Sequence, residues 1–130
     1  MFKFIIELFI KYPIENFNSD GKLIYYEDSN GGWVKSEYDN MGHKTFYEDS
    51  DGFWSKQEYD ENNHTTFYED SDGFSVKTVY DKSGNYIYYE DSKGVWAKCE
   101  YDSNNNKIYY EDSKGVIMDK RKPYKLIYCK

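Results

Sequence analysis

Short segments in which aromatic and polar residues alternate run along most of the chain. Residues 44–48 and 53–59 are two examples, each about six residues long and each followed by a short polar group that begins with Asp and ends with Gly or Asn. Side chains that alternate in polarity at every second position are typical of β-strands with two different faces. The pattern therefore predicts ten or so short strands joined by tight turns into an antiparallel meander.

The alternation is organised by a fixed period of 21 residues. The motif Tyr-Glu-Asp-Ser occurs five times, and a second motif, Tyr-Asp, lies midway between successive copies. A constant period of this length indicates tandem structural repeats, each of which contains one β-hairpin. The five motifs begin at Tyr26, Tyr47, Tyr68, Tyr89 and Tyr110.

Aspartate opens each predicted turn, and glycine or asparagine follows three residues later. An Asp side chain at the first turn position accepts hydrogen bonds from backbone N–H groups two or three residues further on, and Gly or Asn tolerates the positive φ that follows. We therefore expect both turns of a repeat to be fixed by Asp. These residues are Asp28, Asp39, Asp49, Asp60, Asp70, Asp81, Asp91, Asp102 and Asp112.

The odd length of the period imposes a geometric condition on the hairpins. If all loops were equal, residues 21 apart would lie on opposite faces of the sheet. Equivalent positions are so similar that we expect them on one face. The two turns of a repeat must then differ by one loop residue, or one strand must carry a β-bulge.

This condition assigns the repeat columns to two faces. The first face carries the tryptophans, a lysine column and glutamates placed to pair with those lysines across strands: Trp33, Trp54, Trp96, Lys35, Lys56, Lys77, Lys98, Glu27, Glu48, Glu69, Glu90 and Glu111. The second face carries the tyrosines of both motifs with Phe53, Phe74, Val34, Val76 and Val95. The second face is the more apolar, and we expect it to be the buried one.

The chain is predicted to be a single all-β domain of 130 residues in three parts. Residues 1–16 form an apolar N-terminal cap, either helix or strand, with a dimerisation or membrane-surface segment as the alternative. Residues 17–119 form the hairpin repeats, and residues 120–130 form a basic C-terminal tail. The apolar start has no small-residue cleavage site and no apolar run spans 18 residues, so we expect a cytoplasmic protein without a membrane span.

The charge distribution restricts the class of partner. The whole chain carries a formal net charge of −7, whereas residues 27–112 alone carry −12. Phosphate backbones require positive charge, so we expect no direct nucleic-acid binding. An acidic body attracts basic proteins, so a basic protein partner is predicted.

No constellation of catalytic or metal-binding residues is evident, and we expect neither enzymatic activity nor a cofactor. The Glu-Asp-Ser-Asp-Gly segments look like calcium loops, but Lys93 and Lys114 replace one candidate ligand. His43 and His64 share a column with Asn85, which favours surface polar residues over a metal pair. Cys99 lies in a column otherwise filled by Ser, Gln and Thr, so a disulfide or thiolate site is not expected.

The Tyr-Asp-x-x-Gly segments at residues 38–42 and 80–84 resemble the YD (Rhs-type) repeats of bacterial surface and toxin proteins. The resemblance covers residues 17–119 and implies a twisted antiparallel strip, not an activity. Asn63 and Asn105 stand where that pattern has Gly, and five repeats are too few to enclose a cargo. The chain is also similar to short repeat proteins of phages and mobile elements, and more remotely to aromatic cell-wall and choline-binding hairpins.

The sequence thus favours a non-enzymatic protein-binding module. The concrete hypothesis is a phage-type inhibitor of a nucleic-acid-handling host defence system, comparable to an anti-CRISPR protein and acting in the host cytoplasm. The alternatives are a carbohydrate- or cell-wall-binding module that uses the aromatic columns, and a structural protein that self-associates through its sheet edges. The predicted partner-binding residues are Trp33, Trp54, Trp96, Glu48, Asp49, Asp51, Glu69, Asp70, Asp72, Glu90 and Asp91.

Overall fold

A computed structural model describes residues 11–121, which form eleven β-strands and contain no helix. The strands have three to six residues, as the alternating pattern predicts. In chain order they are β1 (Ile14–Phe17), β2 (Leu23–Glu27), β3 (Trp33–Tyr38), β4 (Lys44–Asp49), β5 (Trp54–Tyr59), β6 (Thr65–Asp70), β7 (Ser75–Tyr80), β8 (Tyr86–Asp91), β9 (Trp96–Tyr101), β10 (Lys107–Asp112) and β11 (Ile117–Asp119).

The chain divides into two units, Met1–Ser55 and Lys56–Lys130, and the boundary falls inside β5. In the first unit, β1, β2, β3 and β4 pair antiparallel in chain order. In the second, β6 to β11 do the same. The predicted fold class, an antiparallel meander of hairpin repeats, is therefore confirmed.

The ends of the chain were predicted separately. Of the predicted cap, residues 1–10 lie outside the described part, whereas Ile14–Phe17 forms a strand paired with β2. Of the predicted tail, only Lys120 and Arg121 are described. Residues 11–121 include no helix of the length and apolar character needed to cross a membrane.

The nine turns that open with aspartate use it in the same way, although not quite as predicted, and in the turn after β1 Asn18 Oδ1 accepts the equivalent two bonds. In the turn after β4, Asp49 Oδ1 accepts hydrogen bonds from the N–H groups of Asp51 and Phe53, two and four residues on. The N–H three residues on, that of Gly52, instead donates to the Asp49 backbone carbonyl at 3.1 Å. The prediction of a bond from the third residue was wrong because that N–H closes the β-turn itself. The αL position, which Gly fills elsewhere, is held by Asn63 and Asn105 with φ of 70° and 61°.

A β-bulge in β2, β4, β8 and β10 solves the problem of the odd period. Tyr38 pairs with Lys44 but Glu37 pairs with Phe46, so Thr45 is an extra residue in β4. Ile87 in β8 is extra for the same reason. The turns of a repeat have equal loops, so of the two predicted solutions the bulge is the one found. Residues at equivalent positions of successive repeats consequently lie on the same face of the sheet.

The bulges place the residues of lowest exposure on the tyrosine-bearing face. Ser36, Ser55, Ala97 and Cys99 are the buried residues of the described chain, and Ser36 and Cys99 lie directly opposite Tyr47 and Tyr110 in the strand register. No large side chain among residues 11–121 is fully buried. Stability therefore depends on the strand ladders and on half-buried aromatic columns rather than on a central core.

Candidate functional site

In four of the repeats the aspartate of the Tyr-Glu-Asp-Ser motif accepts three hydrogen bonds, an arrangement called here the aspartate clamp. In the turn after β6, Asp70 Oδ1 holds two backbone N–H groups, and Asp70 Oδ2 accepts a hydrogen bond from the Tyr68 hydroxyl at 3.1 Å. The same Tyr–Asp bond joins Tyr47 to Asp49, Tyr89 to Asp91 and Tyr110 to Asp112. Three of the predicted partner-binding residues, Asp49, Asp70 and Asp91, thus have both carboxylate oxygens engaged within the fold.

In these clamps the pKa of the tyrosine hydroxyl is raised. Partial burial and then the hydrogen bond to Asp70 raise the pKa of Tyr68 above its ordinary value. The bond to Asp112 is the main cause of the raised pKa of Tyr110, and it also lowers the pKa of Asp112. Each pair is held with a neutral hydroxyl and a charged carboxylate, which is the state that the hydrogen bond requires.

In the predicted ladder of lysine–glutamate pairs, two of the four lysines, Lys35 and Lys98, lie over aromatic rings instead. Lys56 does form a salt bridge with Glu69, at 3.3 Å. Lys35 lies opposite Glu48 in the strand register, but its Nζ lies 4.7 Å from the centre of the Trp33 ring. An exposed ion pair gains little, whereas the aromatic ring also covers the lysine methylenes. For Lys35 the prediction of a cross-strand pair was therefore wrong.

The predicted tryptophans lie at the start of their strands, and all three are half-buried. Trp33 and Trp96 carry the ammonium groups of Lys35 and Lys98, the latter at 5.4 Å. Their rings are thus partly covered by the chain's own cations.

The remaining predicted carboxylates differ in how they are used. Glu90 accepts a hydrogen bond from the Tyr88 hydroxyl at 2.7 Å, and Glu48 lies opposite Lys35. Asp51 and Asp72 are exposed at the turns, and neither carboxylate has a hydrogen bond or ion pair among residues 11–121. These two, together with Glu48, whose predicted pair with Lys35 does not form, are the predicted site residues whose charge remains available to a partner.

Sequence reasoning missed two grooves between tyrosines of successive repeats, one in each unit. The Tyr26–Tyr47 groove of the first unit has a volume of about 280 Å³ and is lined by Tyr26, Asp28, Gly32, Trp33, Val34, Tyr47, Asp49, Ser50 and Asp51. The Tyr89–Tyr110 groove of the second unit has a volume of about 530 Å³ and is lined by Thr78, Tyr80, Tyr86, Tyr89, Val95, Trp96, Ala97, Tyr110, Asp112, Ser113 and Lys114. Eight lining positions of the first have equivalents 63 residues later in the second.

The two grooves differ in charge. The first is lined by three carboxylates, those of Asp28, Asp49 and Asp51, and by no basic residue. The second is lined by one carboxylate, Asp112, and by Lys114. The sequence shows this difference in charge, because Asp51 and Lys114 occupy the same position of their repeats. That this position lines a groove could be recognised only from the strand register.

Next to the Tyr89–Tyr110 groove, three aromatic rings surround Lys107. Its Nζ lies 5.1 Å from the centres of the Tyr86 and Tyr110 rings and 5.7 Å from that of Tyr101. It also donates a hydrogen bond to the Tyr86 hydroxyl at 3.3 Å. Although partial burial opposes it, this hydrogen bond and the neighbouring ionisable groups of Cys99, Tyr86 and Tyr101 raise the pKa of Lys107. The tyrosine columns are therefore able to hold a cation.

Each histidine contacts the aspartate that opens its own turn. His43 Nδ1 lies 2.9 Å from Asp39 Oδ2, and His64 Nδ1 lies 3.0 Å from Asp60 Oδ2. Asn85 makes the equivalent contact to Asp81 through its amide nitrogen. Among residues 11–121, no group of three or more His, Cys, Asp or Glu is arranged to hold a metal ion.

The fold and its grooves define a β-hairpin repeat protein. No protein-family model matches the chain, and no curated protein sequence matches it. Among solved structures, it is similar to TcdB2–TccC3–TEV, with a TM-score of 0.55 and 16% identity over 77% of this chain. It is equally similar, at a TM-score of 0.55 and 16% identity over 77% of this chain, to the Tc holotoxin pore of Photorhabdus luminescens carrying a TccC3 mutation. For TcdB2–TccC3–Cdc42 the TM-score is 0.54, with 16% identity over 76% of this chain.

In each comparison this chain spans only 5% of the matched chain. At this level of identity the likeness shows the fold alone, which is consistent with the YD-type β-repeat that the sequence pattern predicts.

Proposed function

We propose that this protein is a non-enzymatic binding module whose acidic, aromatic surface engages a basic protein partner. The observation that carries the proposal is how the chain uses its own lysines. Residues 11–121 contain 23 Asp and Glu against 13 Lys and Arg. Lys35, Lys98 and Lys107 place their ammonium groups over aromatic rings. Much of the carboxylate excess is therefore left without an internal counter-ion.

Exposed carboxylates on rigid turns suit recognition of a basic surface. Asp51 and Asp72 project from turns that an aspartate clamp and a backbone hydrogen bond hold in place. Charges fixed in this way lose little conformational freedom on binding and accelerate association with a partner of opposite charge. The sign of the charge equally disfavours direct contact with nucleic acid.

The narrower form of the proposal concerns the identity of the partner. A protein that handles nucleic acid presents a basic surface to phosphates, and an acidic repeat surface is complementary to such a site. We propose on this ground an inhibitor of a nucleic-acid-handling host defence system, acting in the host cytoplasm in the manner of an anti-CRISPR protein.

The test measures capture of host proteins at low and high salt by the unaltered chain and by the double variant Asp51→Asn, Asp72→Asn. We expect capture of a basic protein that falls with salt, falls in the double variant and is competed by duplex DNA. Lys82→Gln, which removes a positive charge from an exposed turn, is the matched control and should strengthen capture. Capture that ignores salt and all three substitutions would exclude the proposal. Loss of cleavage by an RNA-guided nuclease on addition of the protein tests the narrower form.

A second function is favoured by the Tyr89–Tyr110 groove. It is larger than the first groove, four tyrosines line it, and Asp112 and Lys114 supply opposite charges. Tyrosine rings with nearby hydrogen-bonding groups suit the apolar faces and hydroxyls of a sugar. Glycan-array binding that Tyr86→Ala abolishes would support this alternative, and an array without signal would remove it.

A further inference from the structure

The Tyr26–Tyr47 groove differs from the equivalent positions of the other repeats at one residue. The position after the turn glycine is Gly32 here, whereas Phe53, Phe74, Val95 and Val116 occupy it in the other copies. Phe53 and Phe74 lie against the rings of Tyr47 and Tyr68, with ring centres 6.2 Å apart. Gly32 has no side chain to place against Tyr26, so this side of the groove stays open.

The missing side chain also changes the conformation of Asp28. A Cβ at Gly32 would lie 2.9 Å from Asp28 Oδ2, too close for a real contact. Where a larger residue stands at this position, the corresponding Oδ2 instead meets the tyrosine hydroxyl of its own repeat. No such bond joins Tyr26 to Asp28 in the part of the chain that the structure describes. Gly32 therefore separates a hydroxyl and a carboxylate that are paired elsewhere.

Hydrogen-bond acceptors remain available in this groove as a result. Asp28 uses Oδ1 for the N–H groups of Asn30 and Gly32, and its Oδ2 accepts no hydrogen bond within residues 11–121. The Asp51 carboxylate likewise has no hydrogen bond or ion pair within those residues. The Asp49 carboxylate is engaged by its own turn and by Tyr47. Two carboxylates thus face a tyrosine-lined space that no basic residue lines.

The chain itself shows which chemical group such a space accepts. Lys22 Nζ lies 5.2 Å from the centre of the Tyr38 ring and donates to the Gly42 carbonyl at 2.8 Å. In that contact an ammonium group combines an aromatic ring with an oxygen acceptor. The Tyr26–Tyr47 groove offers the same combination with charged oxygens and no internal lysine lining it. At about 280 Å³ it is below the usual size of a pocket for a drug-sized molecule and suits one side chain.

We propose that the Tyr26–Tyr47 groove is an ammonium site that receives a lysine side chain from the basic partner, which rests on the function proposed above. The ammonium group hydrogen-bonds to Asp28 Oδ2 and Asp51, and the methylenes pack on Tyr26 and Tyr47. Gly32 is the residue that defines the site, because a side chain there would displace Asp28 Oδ2 from its present position and return it to Tyr26, as in the other repeats.

The test is an NMR titration of the full chain with n-butylammonium, which reproduces the end of a lysine side chain, and with 1-pentanol as its neutral counterpart. We expect saturable shifts at the amides of Gly32 and Asp51 with the cation and none with the alcohol. The equivalent amides of Val95 and Lys114 in the second unit are the internal control and should not move. Shifts of equal size with pentanol, or spread over all the acidic turns, would overturn the assignment.

Two substitutions sharpen the test. Gly32→Phe copies the residue found at Phe53 and Phe74, so the repeat itself accommodates it, and binding of n-butylammonium should be lost. Asp51→Asn keeps the turn and removes one charge, so affinity should fall about two- to fivefold, as for an exposed ion pair. Affinity unchanged in Gly32→Phe would refute the proposal even if Asp51→Asn behaved as expected.

The outcome is separable from that of the proposed function. If the captured partner binds Gly32→Phe as well as the unaltered chain, the groove is not its lysine site, although the acidic surface still is the binding surface. If n-butylammonium binds as predicted and no basic protein is captured, the groove stands as an ammonium site and the proposed function fails.

Discussion

Replacing Gly32 with alanine should stabilise the protein, which is unusual for a substitution that places an atom 2.9 Å from a neighbour. Gly32 is not among the glycines with positive φ, so its backbone conformation is open to any residue. Gly→Ala at such a position stabilises by about 0.4–1 kcal/mol because the unfolded chain loses freedom. The neighbour that must move is a carboxylate oxygen at the end of a side chain, and it has a hydroxyl to move to.

The second contribution comes from that movement. If Asp28 turns to Tyr26, the variant gains the bond that the other four repeats already have, worth about 0.5–1.5 kcal/mol and towards the lower value at a solvent-accessible position. The two contributions together predict about 1–2 kcal/mol of added free energy of unfolding. Urea denaturation monitored by tyrosine and tryptophan fluorescence measures this directly.

Two controls identify the cause. Gly31→Ala, one residue earlier, has φ of 84° in the present structure and should destabilise by about 1–2 kcal/mol. Tyr26→Phe in the Gly32→Ala background should remove the hydrogen-bond share and leave the backbone share. If Gly32→Ala is neutral or destabilising while Gly31→Ala behaves as expected, the explanation of the Asp28 conformation is wrong.

Three further predictions concern the turns, the bulges and pH. Asn63 has φ of 70°, so Asn63→Gly should leave stability unchanged or raise it slightly, whereas Asn63→Ala should lower it by about 1 kcal/mol, measured by urea denaturation. Deletion of the bulge residue Ile87 should turn the rest of β8 over and lose cooperative unfolding, whereas Ile87→Val should not, as followed by circular dichroism. The pKa of Tyr68 is raised from 10.0 and that of Asp112 is lowered from 3.8. The stabilisation that the hydrogen bonds of Tyr68 and Asp112 contribute should be complete between pH 3.8 and pH 10. It should be lost above pH 10 as Tyr68 ionises and below pH 3.8 as Asp112 is protonated. The urea midpoint against pH should therefore show a plateau with a fall on each side, and a midpoint that rises at either end would contradict the assigned bonds.

Much of the fold was predictable because each position of the repeat occurs several times in the sequence, so its residue preference can be compared between copies. The strand bounds, the two faces and the need for a register change all follow from a period of 21 and from the alternation of side chains. The location of the bulge did not follow, because Thr45 and Ile87 look like ordinary strand residues and the choice between loop and bulge depends on backbone hydrogen bonds. The third N–H of the turn was misassigned for the same reason.

The candidate site was less predictable, because side-chain conformation decides it. Lys35 and Glu48 are correctly placed for a pair, yet the lysine turns to Trp33 two residues away on its own strand. Asp49 and Asp51 are similar in the sequence, but the first is engaged in its turn while the second is exposed. Gly32 was visible as the exception in its column. Its effect on Asp28 required the distance between the two residues.

The bulge in β2, β4, β8 and β10 has a consequence for how such a gene changes length. Because one period already restores the orientation of the side chains, duplication or loss of 63 nucleotides adds or removes a copy without inverting any residue that follows. Unequal recombination between copies therefore yields chains in which each repeat column keeps its face of the sheet, so copy number can change independently of point mutation. A period without the bulge would tolerate only changes of two copies at a time.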